Sequence, residues 1–453
     1  MALKKIAPQK GIKMNSISTY SCGNSSGFAP DSLLIVWAKG PNKPKFAAKL
    51  MILFNLFSKK LNNLTFGVMG QKRFSSLVFT LMLTIFIVGC QEKKKPISVK
   101  QNVVPNQIQY ATGFNIKSEG IITVIEVSSP WPGSKSTFTY ALVPKDRLAS
   151  ITLPRDAYDA IVATPVNQMI ITSTTHIAAL EALGELDAIV GFPNTDLISS
   201  VAARVRIQKG QIEELGTNEN INTEITLALK PEVLIGFGIN DTNKAYETLH
   251  KSGIPIVYNG DWTEGTPLGK AEWIKFFAPF FNKESLADEV FEGIEANYKK
   301  AKKLAQNAIE KPTVLTGGLY KDVWYVAGGK SWMAQFLEDA NANYLWQETP
   351  NTGSIGLSLE AVLEKGVQAD YWFNPSLHGS YEELLQANSH YRQFKAFEQK
   401  TVFSNAINKG ETGGLLFYEL APQRPDLVLK DLISILHPKL LPEHQPHFFM
   451  PLN

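Results

Sequence analysis

The sequence predicts an α/β protein made of two parallel-sheet lobes joined by a single long helix, and three observations predict it. From residue 161 onward, short apolar runs alternate with segments of helical spacing, the pattern of strands joined by crossover helices and hence of parallel sheets. A helical zone over 261–311 interrupts the alternation, which restarts at Pro312. Two stretches then echo each other across that zone: INTEITLALKPEVLIGF at 221–237 and LSLEAVLEKGVQADYWF at 357–373. In both, Glu is the fourth residue and an apolar helix runs through a turn into a strand, which reads as a duplicated lobe.

Taken in order, the chain opens on 1–68, which carry no readable period and are set aside as a non-native or disordered extension. The reason lies just after them, in MGQKRFSSLVFTLMLTIFIVGC at 69–90. Lys72 and Arg73 precede an apolar run, 75–88, shorter than the roughly 20 residues that span a bilayer. Small Gly89 then meets Cys90, and charged QEKKK follows. This order reads as a lipoprotein signal over 69–89 whose Cys90 takes the lipid and becomes the mature N-terminus. Met69 is then the start, with a genuine N-terminal extension as the alternative.

Residues 90–119 begin as a Lys-rich tether, a solvated linker able to lie against anionic lipid heads. GIITVIEV (120–127) and FTYALV (138–143) read as strands across a turn-rich SSPWPGSKS, giving a small β leader over 120–159. The first lobe, 160–260, starts with the strand MIIT; Ser173-Thr174-Thr175 offers an N-cap, and HIAALEALG runs to a stop at Gly184. AIVGF, EVLIGF and IPIVYN supply further strands. In the helical zone Pro267 sits at a helix start, Pro279 breaks it, and Asn282 is placed to cap a helix near 283–308. The second lobe, 312–440, holds strands in PTVLTGG, VWYVAG, ADYWF and TVFSN and a closing helix from Arg424 to Leu436; 441–453 is a Pro-rich tail.

Composition narrows the class. Lys and Arg number 45 against 42 Asp and Glu, a net charge of +3 that argues against nucleic-acid binding. The 2 cysteines, Cys22 and Cys90, leave no disulfide framework once Cys90 is lipidated, so packing must supply the stability.

The stretches STTHIAALEALGELDAIVGF, NTEITLALKPEVLIGF, PLGKAEWIKFFA, SLEAVLEKGVQADYWF and RPDLVLKDLISILHP, in this order and spacing, resemble the substrate-binding lipoproteins of ABC importers for metal chelates, the group of the vitamin B12-binding and iron–siderophore-binding proteins. The resemblance covers roughly 160–440, with 110–160 similar to a leader of some lipidated members. It implies two Rossmann-like lobes bridged by one rigid helix, with a cobalamin, ferric siderophore or haem held in the cleft between them. It also implies one exposed Glu per lobe that pairs with Arg on a dimeric permease. Glu224 and Glu360 match those positions, and charged pairs of this kind fix orientation more than affinity. Glu181 and Glu272 are weaker rivals on helices where a structural ion pair is expected.

Cleft residues belong at strand C-terminal ends and in the loops after them. That rule selects Ser173, Thr174, Thr175 and His176 after MIIT, Phe237 after EVLIGF, and Gly216, Thr217 and Asn218 ahead of the repeat helix. In the second lobe the resemblance selects Trp324 and Tyr325, with Trp372, Phe373, Phe417 and Tyr418 as further aromatic walls for a planar chelate. Arg424 is open to two readings, an anion contact or a local pair with Asp426. His176 is open to cleft contact or packing, of which packing is favoured. His444 and His447 look like a metal pair but lie in the tail; no His-x-x-x-His or paired Cys marks a closed site, so no protein-held metal and no cofactor are expected, and metal arrives inside its chelate.

An enzyme reading finds no nucleophile motif from Met69 onward: GxSxG is missing there, and Gly328-Gly329-Lys330-Ser331 has no Gly five residues before Gly329. A cell-envelope lipoprotein enzyme and a structural surface lipoprotein stand as the alternatives. Turnover would mark the first, and Trp fluorescence blind to ligand the second.

Overall fold

The computed structural model describes residues 104–105, 108–240 and 242–453. Cys90, the signal at 69–89, residues 1–68 and most of the tether therefore lie outside the described residues. Among the described residues no helix is long and apolar enough to cross a membrane.

The leader is larger than two strands. β1 (Val104–Pro105), β2 (Phe114–Glu119), β3 (Ile122–Ser128), β4 (Thr137–Pro144) and β5 (Ala160–Thr164) form one sheet in that order. β1 to β4 pair antiparallel and β5 joins β4 in parallel. Alternation along β3 sends Ile125 and Val127 into the core beside Phe114, Ile116 and Tyr140.

The next sheet is wholly parallel, with strand order β8–β7–β6–β11–β12, built from β6 (Met169–Ile171), β7 (Ile189–Phe192), β8 (Glu213–Glu214), β11 (Val233–Gly236) and β12 (Ile256–Tyr258). A small hairpin, β9 (Gly216–Thr217) and β10 (Asn220–Ile221), lies off it. The connecting helices are α1 (Thr174–Ala182), α2 (Val201–Gln208), α3 (Thr223–Leu229) and α4 (Lys244–Lys251). β6 is central, and the chain reverses its winding between β6 and β11.

The helical zone holds α5 (Pro267–Glu272), α6 (Ile274–Phe277) and α7 (Glu284–Ala305). Pro267 starts α5 as expected, behind the Thr266 N-cap. Asn282 does not cap α7: it adopts φ 58, and Lys283 holds the N-cap without a side-chain bond. With 22 residues α7 spans about 33 Å. Its buried face reads Ala287, Phe291, Ile294, Tyr298, Ala301 and Ala305. The first three pack in the core of the leader and first parallel sheet, the last three in the core of the second.

That second sheet runs β16–β13–β18–β19–β20, from β13 (Thr313–Thr316), β16 (Asn343–Tyr344), β18 (Tyr371–Phe373), β19 (Val402–Ser404) and β20 (Met450–Pro451). Only the tail strand β20 is antiparallel. The segment read from sequence as the strand VWYVAG belongs elsewhere. β14 (Gly318–Tyr320), β15 (Val323–Ala327) and β17 (Ser354–Leu357) make a separate antiparallel sheet inserted after β13. Helices α8 (Trp332–Asp339), α9 (Leu359–Gly366), α10 (Tyr381–Ala387), α11 (Lys395–Glu398), α12 (Leu416–Leu420) and α13 (Pro425–Leu436) complete this half.

Two buried carboxylates tie the leader down. Glu272 accepts the backbone N–H groups of Gln109, Tyr110 and Ala111, and Glu264 those of Thr112 and Gly113. Glu272 is fully buried beside Lys275, at 3.4 Å, so its role here is structural.

Candidate functional site

In an open parallel sheet, neighbouring loops splay apart where the winding reverses, which leaves a crevice beyond the strand ends. The first sheet reverses between β6 and β11, the second between β13 and β18. Beyond β13 and β18 lies a cavity of about 440 Å³, lined among others by Thr316, Gly317, Tyr320, Tyr325, Asn374 and Tyr418. That volume falls within the roughly 300–1,000 Å³ range of small-molecule sites. Gly317 is required at its floor: its φ is +79, and a Cβ there would stand 1.7 Å from the Tyr325 carbonyl oxygen.

The structure corrects three of the sequence-predicted walls, Trp324, Trp372 and Phe373. Trp324 is fully buried and faces the core, not the cavity. Its ring stacks on Trp372 at 5.3 Å and meets Tyr391 edge-on at 5.7 Å. Its indole N–H donates to the Thr316 carbonyl at 3.0 Å, and that of Trp372 to the Gly317 carbonyl at 2.7 Å. The two tryptophans hold the cavity floor from beneath, and Phe373 is likewise core. Strand alternation turns the next residue outward, so Tyr325 is 44% exposed and lines the cavity. Phe417 reaches the cavity but is largely buried against Trp332, Phe448 and Phe449, whereas Tyr418 is 55% exposed. Sequence reasoning missed Tyr320, at 62% exposure, and Leu377, at 70%. Tyr320 sits before a tight turn in which Lys321 and Asp322 both take positive φ, a hairpin signal that GGLYKDVWYV carries without an Asn-Gly pair.

At the first sheet's reversal, Ser173 and Thr175 are half-buried and bond each other at 2.9 Å, and Thr174 begins α1 beside them. Phe237 follows β11 and packs edge-on to Trp262, 6.5 Å away. Trp262, Ile239 and the hairpin residue Thr217 are exposed. Asn218 is buried and accepts the Tyr246 hydroxyl at 2.6 Å. His176 packs as the favoured reading had it, fully buried 5.3 Å from the Phe277 ring, and burial pushes its pKa down. Arg424 is engaged by Asp426 through two bonds of 2.8 and 2.9 Å, the local pair.

The two halves touch beside Tyr418. Glu419, buried at the next position, accepts the backbone N–H groups of Ser199 at 2.6 Å and Ser200 at 2.7 Å. Burial outweighs those bonds and pushes its pKa up to about 7.

Glu224 and Glu360 occupy matched places. Each lies in the first turn of its helix and is exposed. Each helix is capped by a side chain that accepts from the third residue on, Asn222 from Ile225 and Ser358 from Ala361. Hydrogen bonds from its own backbone and Ser358 hold the Glu360 carboxyl below its usual range.

Two parallel sheets, a shared helix and a walled crevice at a sheet reversal define a small-molecule binding protein. Residues 169–405 match the Periplasmic binding protein family, and the chain belongs to that family, whose members bind solutes and are not enzymes. An uncharacterized lipoprotein of Methanocaldococcus jannaschii is 28% identical over 308 residues, 65% of this chain and 70% of the relative. A second uncharacterized lipoprotein of that organism is 21% identical over 392 residues, covering 82% and 96% of the two chains. Among solved structures, a possible iron-binding (periplasmic solute-binding) protein from Staphylococcus epidermidis ATCC 12228 aligns with a TM-score of 0.48 at 18% identity, over 60% of this chain and 100% of that one.

Proposed function

We propose that this chain is a lipid-anchored substrate-binding protein, held to the membrane through Cys90, that captures a metal chelate and delivers it to the permease dimer of an ABC importer. The observation that carries this reading is the cavity at the second sheet's reversal with Tyr320, Tyr325 and Tyr418 exposed around it. Aromatic walls bury a large planar ligand at little rotamer cost. Phe237 and Trp262 supply the facing surface from the first half, with Ser173, Thr174, Thr175 and Thr217 as polar contacts. The halves, 160–260 and 312–440, act as lobes, and α7 is the rigid strut between them, which restricts closure on binding to a small motion. The metal travels inside the chelate. Glu224 and Glu360 meet basic residues of the two permease subunits.

Native mass spectrometry of the chain mixed with cobalamin, a ferric siderophore and haem tests the ligand class. One of the three forms a one-to-one complex, and Tyr325→Ala weakens it at least tenfold. No complex with any of them overturns the metal-chelate reading.

A further inference from the structure

The tail after α13 folds back on the second half. Phe448 and Phe449 are fully buried, and Met450–Pro451 extends the sheet beside β19. One side chain fastens it. Asp431 of α13 is fully buried, and its Oδ2 accepts the backbone N–H groups of His447 at 2.9 Å and Phe448 at 2.6 Å, with Phe449 at 3.4 Å. This fixes the carboxylate's orientation and leaves Oδ1 facing two imidazoles. His444 Nε2 stands 2.7 Å from Oδ1 and His447 Nδ1 3.8 Å from it. All three ligating atoms lie within 4.8 Å of one another.

From this arrangement we infer that Asp431, His444 and His447 form a divalent transition-metal site, with the chemistry of Zn²⁺, that clips the C-terminal tail to α13. Two imidazole nitrogens and one carboxylate oxygen are a ligand set that Zn²⁺ accepts, with bonds near 2.0–2.2 Å in tetrahedral geometry. Such bonds put neighbouring ligand atoms roughly 3.3 Å apart. The observed 2.7 and 3.8 Å bracket that spacing, so small side-chain rotations admit an ion. The carboxylate is held by backbone donors on its other oxygen, the kind of outer support that preorganises a metal ligand. His447 is half exposed, and His444 borders a solvent-open cavity of about 610 Å³, which leaves room for a water as fourth ligand. Lys300, Lys303 and Lys430 line that cavity with Glu443; their repulsion is screened beyond about 8 Å at physiological salt. The site shares no residue with the cavity at β13 and β18, so it stands independently of the proposed cargo.

The test is calorimetric titration of the metal-free full chain in detergent with Zn²⁺, alongside His447→Ala and His444→Gln. Asp431 is left intact because the tail's backbone depends on it. The chain binds one Zn²⁺, and each variant loses at least tenfold in affinity while keeping its near-UV circular dichroism. Zn²⁺ also raises the Tm of the parent chain and leaves that of the variants unmoved. Failure of the parent to take up one Zn²⁺, or wild-type affinity in either variant, overturns the site.

Discussion

The two halves share a device at the sheet reversal and differ in what stands above it. In the first half the Thr172 hydroxyl, past β6, bonds the Tyr246 hydroxyl at 3.0 Å and accepts the Phe237 N–H at 3.2 Å. In the second, Thr316 at the end of β13 bonds the Tyr344 hydroxyl at 3.0 Å and accepts the Ala327 N–H at 3.2 Å. Each clamp is buried, and burial raises both tyrosine pKa values. Above the second clamp the inserted sheet β14–β15–β17 carries Tyr320 and Tyr325 over a cavity. Above the first, β6 passes directly into α1, which starts at Thr174, and the extra mass lies in the leader sheet that shares its core. A repeated scaffold thus keeps its frame and varies its loops, which is where recognition is expected to reside.

The largest effect concerns the leader's attachment, which α5 makes beside the first half. Glu272→Ala strands three backbone N–H groups and removes a partner from buried Lys275, so it costs about 3–5 kcal/mol in urea unfolding. A loss below about 1 kcal/mol would mean that the leader is not integral to that half.

The contact between the halves is pH-dependent. The Glu419 pKa is raised from 4.5 to about 7 in the native state. Between these values the folded chain holds a proton that the unfolded chain has released. The group's stabilisation is therefore full below pH 4.5 and is lost as pH rises through about 7. Its slope reaches at most about 1.4 kcal/mol per pH unit, and Glu419→Gln removes it. A parent and variant with parallel stability–pH curves would contradict this.

The clamps give the smallest and most symmetrical effect. Tyr246→Phe and Tyr344→Phe each leave an acceptor unpaired, the buried Asn218 Oδ1 in one case and the partly buried Ala327 carbonyl in the other. Each costs about 1–2 kcal/mol, and the two values agree within roughly 0.5 kcal/mol if the clamps are equivalent. A large difference in denaturation midpoint would break the comparison.

Much of the frame was legible in the residues. Alternating strands and helices, Pro267 at a helix start and Gly184 with φ +73 at a helix stop are local signals that tertiary packing left in place. The repeat at 221–237 and 357–373 located two capped helices that each lead to a strand of the parallel sheets. The site was less legible. In β15 the run V-W-Y-V-A is apolar on both faces, so only the pairing with β14 and β17 decides that Trp324 faces in and Tyr325 out. The parallel addition of β5 to the leader, the tail's return along β19, and the meeting of Asp431 with His444 and His447 are long-range pairings that no local pattern encodes.

Charge reversal at Glu224 and Glu360 tests the proposal that two matched halves present a bound ligand to a two-subunit permease. Ligand affinity and transport are to be compared in Glu224→Lys, Glu360→Lys and the double variant. Both carboxylates are exposed on the first turns of equivalent helices. If docking rests on these carboxylates, each single reversal impairs uptake, the double reversal nearly abolishes it, and ligand affinity stays at the parent value throughout. Transport surviving in the double variant, or ligand affinity falling in its place, would contradict it.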